Sequence, residues 1–280
     1  MNTVKTAALL AAITGLFLVI GFLIGGMSGM VVALVMAGLM NFFAYWSSDS
    51  LALRMAGAKE VTQEEAPALH RTVEEVAHLA NVPKPKVYIV QSDTPNAFAT
   101  GRNPHHAAVA ATTGILNLLD ERELRGVLGH ELAHVQNRDI LTSSIVATLA
   151  GAISMIAWMS LFFGGGRDRG NALIGLVAFL LAPIAAAMIQ MGISRAREYQ
   201  ADKDGAKYTH DPEALASALE KLHNGVQRAP MEQTPMAQST AHLYIVNPFS
   251  AAGVSRLFST HPPIEERVKR LHEMAYGPTL

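Results

Sequence analysis

Arg125-Gly-Val-Leu-Gly-His130-Glu131-Leu-Ala-His134-Val-Gln-Asn-Arg-Asp139 decides how the rest of this chain is read. It carries an H-E-x-x-H string. His130 and His134 are four residues apart, so on a helix both imidazoles leave one face and can grip one metal ion. Glu131 stands next to the first, where its carboxylate can take a proton from a metal-bound water. The helix is well signalled. Asp120 followed by Glu123 reads as a capping box, and Leu124, Val127, Leu128, Leu132 and Val135 supply apolar positions. Without a metal, the same string is a surface helix with two solvated histidines.

Around this helix the composition is uneven. Half of the 280 residues are hydrophobic and 16% are charged, against roughly 25% charged in soluble proteins. No charged residue occurs from Thr6 to Ser48, and Ile140–Gly166 and Gly170–Ser194 are two further uncharged runs, parted by Arg167-Asp-Arg169. The first run holds two expected spans, Thr6–Ile24 and Met30–Trp46, joined by a turn at Gly25–Gly29. Its length favours an uncleaved anchor over a signal peptide. Lys5, Arg54, Lys59, Arg125, Arg138, Arg195, Arg197, Lys203 and Lys207 flank the spans on one side, which puts the soluble segments in the cytoplasm. The net charge of −1 gives no reason to expect nucleic acid. The absence of cysteine excludes a thiol protease, disulfides and cysteine zinc sites. No G-x-x-x-x-G-K-[ST] loop is present, so no nucleotide is expected.

The expected organisation is therefore a transmembrane pair over residues 1–46, a discontinuous soluble domain over 47–139 and 195–280, and a transmembrane hairpin over 140–194. Within the soluble part the pattern predicts an amphipathic helix over Ala66–Val82, with Leu69, Val73, Val76, Ala77 and Leu79 on its apolar side. Strands are expected at Lys86–Val90, Asn96–Thr100 and Ala107–Thr112. The histidine helix is expected to run straight into the third span. Further helices are predicted over Arg195–Lys207, over Pro212–His223 with Asp211 as cap and Asn224-Gly225 as stop, and over Pro263–Ala275. Val226–Ala241 reads as a mobile loop.

Two histidines do not complete a catalytic zinc site; a third protein ligand is needed. Asn137 and Ile140 stand where the longer metzincin motif has Gly and His, so that route is closed. Ser194-Arg-Ala-Arg-Glu198-Tyr-Gln-Ala-Asp202 offers a pair on one helix face. Glu198 can bind metal while Asp202 receives the N–H of a ligand histidine. A Glu–Asp pair at this spacing is otherwise a solvated acidic face. Because 140–194 reads as a two-span hairpin, its ends emerge on the same side, which brings Glu198 toward His130 and His134.

These stretches, together with Ser259-Thr-His261-Pro262-Pro263, resemble the HtpX family of bacterial inner-membrane zinc metalloproteases, itself related to the eukaryotic CAAX prenyl endopeptidase. The resemblance covers essentially the whole chain. It implies an α+β, mainly helical fold: a multi-span α-helical membrane anchor with a cytoplasmic gluzincin-like zinc metallopeptidase domain. It also implies one Zn2+ per chain, with His130, His134 and Glu198 as ligands and Glu131 as the catalytic carboxylate. Asn96 matches a motif bordering the substrate cleft, His261 a histidine that stabilises the oxyanion, and Arg267 an arginine that supports the site. The implied reaction is hydrolysis of peptide bonds in misfolded or damaged membrane proteins at the cytoplasmic face of the inner membrane. The substrate is expected to lie extended beside Ala107–Thr112 or Asn96–Thr100. A metal transporter would need ionisable groups inside the spans, and the uncharged runs contain none. An inactive scaffold would be expected to lack Glu131 or a ligand. An enzyme processing prenylated peptides would be expected to have more spans.

Overall fold

The structure is a computed structural model and describes residues 2–141, 143, 145, 195–249 and 262–277. The third and fourth apolar segments, which make up most of 140–194, and His261 lie outside the described residues.

The chain begins with a broken helix, α1 (Asn2–Met55), whose helical geometry fails at Gly25 (φ −136°, ψ 17°) and Gly26 (φ 58°, ψ −143°). The second of these is a left-handed conformation that glycine adopts without steric cost. Beyond it the chain turns back. Asn41 Nδ2 donates to Thr14 Oγ1 at 2.9 Å and to the Leu10 carbonyl at 3.4 Å. In an unbroken helix residues 10 and 41 would stand about 46 Å apart at 1.5 Å per residue, so the two arms form a hairpin. Among the described residues one helix is long and apolar enough to cross a membrane, Gly25–Phe43. Val31, Val32, Leu34, Val35, Phe42 and Phe43 on it are exposed. The arm continues past Trp46 to Met55 and buries Ala52 and Leu53 against the sheet.

The sheet contains β1 (Ala58–Glu60), β2 (Lys86–Val90), β3 (Ala97–Gly101) and β4 (Ala107–Thr112) in the order β1-β2-β4-β3. β2 pairs parallel to β4, and β3 antiparallel to it with Ala97 opposite Ala111 and Gly101 opposite Ala107. β4 is therefore interior and closed to an added strand, so of the two expected docking strands only β3 lies at an edge. Side chains alternate between faces. Phe98, Ala108 and Ala110 meet Leu53 and Tyr244 on one side, and Ala97, Ala99, Val109 and Ala111 face the main core on the other.

That core is helical. α2 (Pro67–Leu79) starts with proline at its first turn and buries Leu69, Val73, Val76 and Ala77, whereas Leu79, expected on the apolar side, is 37% exposed. A short helix α3 (Thr113–Leu118) leads to α4 (Glu121–Gln136), whose Asp120/Glu123 capping box is fully formed. α4 lies at the centre, packed by α2, α5 (Arg195–Thr209), α6 (Pro212–Arg228) and β3. It does not run straight on. Arg138 takes φ 58°, which breaks the helix at Asn137–Arg138 before helical geometry resumes at Asp139. α6 is capped by Asp211 as expected but continues beyond Asn224-Gly225. Gly225 is there for room: a Cβ would sit 2.7 Å from the Pro95 ring. The expected loop over 226–241 is therefore partly helix, with α7 at Pro235–Thr240. α8 (Ile264–Tyr276) closes the described chain.

Candidate metal centre

α4 and α5 cross where both carry glycine. A Cβ on Gly205 would meet His130 N at 2.5 Å, and one on Gly129 would meet the Gly205 carbonyl at 3.0 Å. Backbone-to-backbone contact of this kind lets side chains up to two turns away converge from the two helices. His130 Nε2 lies 3.7 Å from Glu198 Oε2, and His134 Nε2 lies 3.5 Å from Glu198 Oε1. The ligand atoms of His130, His134 and Glu198 all fall within 4.8 Å of one another. Metal–nitrogen and metal–oxygen bonds of about 2.0–2.2 Å span the 3.7 and 3.5 Å that part Glu198 from the two rings, so one cation fits among them. The donor set, two imidazoles and a carboxylate, suits zinc.

The far nitrogen of each ring meets a carboxylate. His130 Nδ1 lies 2.8 Å from Asp202 Oδ1, and His134 Nδ1 lies 3.2 Å from Asp139 Oδ2. Each carboxylate accepts a hydrogen bond from Nδ1–H, which turns Nε2 toward the shared point. Asp202 is gripped in turn by Arg267, which is 0% exposed: Nε and Nη2 donate to its two oxygens at 2.8 and 2.6 Å, and Nη1 donates to the Ile245 carbonyl at 2.9 Å. Arg267 Nη2 also lies 3.4 Å from His130 Nδ1. The shorter contact to Asp202 decides that the ring proton points to the carboxylate.

Charge crowds this pocket. Burial pushes the Glu131 carboxyl up to about 8, the like charge of Glu198 adding to it and His134 opposing. The same carboxylate accepts the Ala99 backbone N–H of β3. Burial alone would lower His134, but the Asp139 hydrogen bond and the charges of Glu198 and Glu131 raise it to about 9. His130 is held below its ordinary value by burial, which the Asp202 contact only partly offsets. Burial would raise Asp202, yet the charge and hydrogen bonds of Arg267 outweigh it and hold the group at about 2. A dication at the shared point would favour the proton-free forms of Glu131 and His134.

Of the residues expected from sequence, His130, Glu131, His134, Glu198, Asp202 and Arg267 come together here. Asn96, just before β3, is 0% exposed. Its Nδ2 donates to the Val246 carbonyl at 2.7 Å, and its Oδ1 accepts the Val246 N–H at 3.3 Å. It thus fastens the segment that Arg267 holds from the other side, and Ile245 N–H adds a 3.1 Å bond to the Ala97 carbonyl. Asp139 was not anticipated. Its only signal is a carboxylate five residues after His134, and it comes within reach because α4 breaks at Arg138. It also lies 3.7 Å from Arg197, so the two strands of chain that border residues 140–194 meet beside His134.

The model of peptidase family M48 matches residues 63–275. A curated protein named Protease HtpX homolog from Burkholderia multivorans is 57% identical over 277 residues, covering 98% of this chain and 97% of its own. Proteins of the same name from Burkholderia lata and Burkholderia thailandensis are each 56% identical with the same coverage. Among solved structures, the crystal structure of S. mikatae Ste24p aligns with a TM-score of 0.52 and 19% identity over 96% of this chain, a likeness of fold. The chain spans 65% of the length of that structure.

Proposed function

This chain belongs to peptidase family M48 and is a membrane-associated metalloprotease, and on that premise we propose that it is a multi-pass zinc endopeptidase cleaving misfolded or damaged membrane proteins at the cytoplasmic face of a bacterial inner membrane. The observation that carries the reading is the convergence of His130, His134 and Glu198 within 4.8 Å, with Asp202 and Asp139 behind the two rings.

His130 and His134 offer Nε2, and Glu198 offers its carboxylate, to one Zn2+. Bound there, the ion supplies a Lewis acid that acidifies water and polarises a peptide carbonyl. Glu131 takes the proton of the attacking water and hands it to the leaving amine. Asp202 and Asp139 accept hydrogen bonds from Nδ1 of the two imidazoles and fix the rings in orientation with Nε2 turned to the metal point, and Arg267 keeps Asp202 ionised. His261 is assigned as donor to the oxyanion. The substrate is assigned to the edge of β3 on the stretch past Ala97, whose carbonyl already holds the Ile245 N–H, and so lies beside Glu131; main-chain pairing needs little sequence preference.

The exposed apolar arm of α1 and the uncharged runs at 6–48, 140–166 and 170–194 support the membrane anchor, and the basic residues flanking them support a cytoplasmic metallopeptidase domain. Stripping the purified protein with chelator, adding zinc back and following casein digestion tests the enzyme class. Cleavage that returns only with zinc is expected. Cleavage that persists in the stripped protein would overturn it.

A further inference from the structure

We propose that the tip of the β3–β4 hairpin, Arg102–His106, binds the headgroup of an anionic phospholipid, with Arg102 as the anion-contacting group; this rests on the membrane reading of Gly25–Phe43.

Position comes first. Trp46 lies three residues beyond the apolar stretch Gly25–Phe43 and is half exposed. That is about 4.5 Å of helix rise past the apolar edge, the level at which tryptophan favours the membrane–water boundary. β3 climbs the same helix. Phe98 packs with Ala52 and Leu53, and four residues later Arg102 stands over Trp46. The strand advances about 13 Å over those four residues, and the helix rises about 10 Å from Leu53 to Trp46. The two elements thus run side by side, and the hairpin tip points toward the apolar arm.

Chemistry comes second. The Arg102 guanidinium carbon is 4.8 Å from the Trp46 ring centroid. A stacked guanidinium spends its face on the indole and keeps its in-plane N–H donors for a phosphate. Among the described residues Arg102 has no carboxylate partner. His105 and His106 are exposed beside it, and no acidic residue occurs between Asp93 and Asp120. Asp49 is the acidic residue of α1 nearest to Trp46 in sequence. Asn103 orders the tip: its Oδ1 accepts the His106 backbone N–H at 3.1 Å and lies 3.0 Å from His106 Nδ1. An ordered, basic, aromatic-backed tip at the boundary of an apolar arm fits an anionic headgroup better than it fits water. The site also borders the metal centre through β3, since Arg102 is three residues from Ala99, whose N–H reaches Glu131.

The test uses the full-length zinc-loaded chain carrying Trp158→Phe, which leaves Trp46 as its one tryptophan. It is reconstituted in mixed phosphatidylcholine and phosphatidylglycerol vesicles of fixed composition. Bromines near the carbonyl end of the acyl chains are placed on one lipid or the other. We expect brominated phosphatidylglycerol to quench Trp46 at least about twofold more than its share of the bilayer dictates, given the attraction of a basic group to anionic lipid. Arg102→Gln is expected to bring quenching down to that share, and Arg102→Lys to keep part of the preference. Soluble glycerol phosphate at millimolar concentration should leave the preference intact. Quenching in proportion to lipid fraction in the parent protein, or a preference unchanged in Arg102→Gln, would overturn the proposal. Quenching by neither lipid would overturn the membrane placement beneath it. If Trp158→Phe fails to fold, the difference between the wild-type chain and Arg102→Gln gives the same reading, with retained zinc as the control for folding.

Discussion

Replacing Gly205 by alanine should disable the metal centre without replacing any ligand. A Cβ at this position would lie 2.5 Å from His130 N, 2.6 Å from Gly129 C and 2.8 Å from His130 Cα, all backbone atoms of α4. Ordinary carbon contacts need about 3.5 Å, so α4 and α5 must part by roughly 1 Å. The separations of 3.7 and 3.5 Å between Glu198 and the two ring nitrogens would then open to roughly 4.5 Å or more. Two bonds of at most about 2.2 Å span no more than about 4.4 Å even when collinear. Zinc affinity is therefore expected to fall at least about tenfold, toward the range found when ligand orientation is lost. Chelator competition on the purified protein measures it. Gly126→Ala is the matched control: its Cβ would meet Leu215 N of α6 at 2.9 Å, so it should lower stability but leave the α4–α5 spacing and zinc affinity alone. A Gly205→Ala protein that binds zinc within threefold of wild type would refute the reasoning.

Other outcomes are expected from the same geometry. Glu131→Gln should retain stoichiometric zinc while casein cleavage falls at least about 100-fold, the scale of a lost general base; metal analysis beside the digest checks both. Asp139→Ala should weaken zinc binding about 10–100-fold by freeing His134, as removal of such outer carboxylates does elsewhere, and chelator titration against wild type reads it. Arg267→Met strands the Asp202 carboxylate in the interior, a loss of about 3–5 kcal/mol. Thermal unfolding should show it, and Arg267→Met with Asp202→Leu should recover part of the loss. The metal-free protein should lose stability as pH rises. His134, raised to about 9 from its ordinary 6.5, stabilises fully below 6.5 and ceases to by about 9, while the burial cost of ionised Glu131 grows from its ordinary 4.5 up to about 8. Zinc uptake at pH 7 should accordingly release between one and two protons, read by calorimetry in buffers of different ionisation enthalpy; release of none would contradict it.

What could be read from residues alone was whatever depends on local spacing. The i,i+4 histidines, the Asp120/Glu123 capping box and the Asp211-Pro212 start of α6 are short-range signals, and each occurs as expected. Tertiary packing explains the differences. Gly225 marks a helix stop by composition, yet it serves the Pro95 contact and the helix continues through it. Arg138 adopts a left-handed conformation with no glycine to announce it, so the return of Asp139 to His134 was invisible. The second arm of α1 outruns the expected boundary at Trp46 because Ala52 and Leu53 have a sheet face to bury against. Strand order is a non-local property, which is why β3 and β4 could not be ranked as docking edges until the sheet was known.

Zinc-edge X-ray absorption on the chelator-stripped and reloaded chain probes the centre of this account most directly. One zinc per chain is expected, bound by two imidazole nitrogens and carboxylate oxygen at about 2.0–2.2 Å, with the spectrum altered in Glu198→Gln. Fewer than two imidazoles around the metal, or a spectrum indifferent to Glu198→Gln, would contradict it.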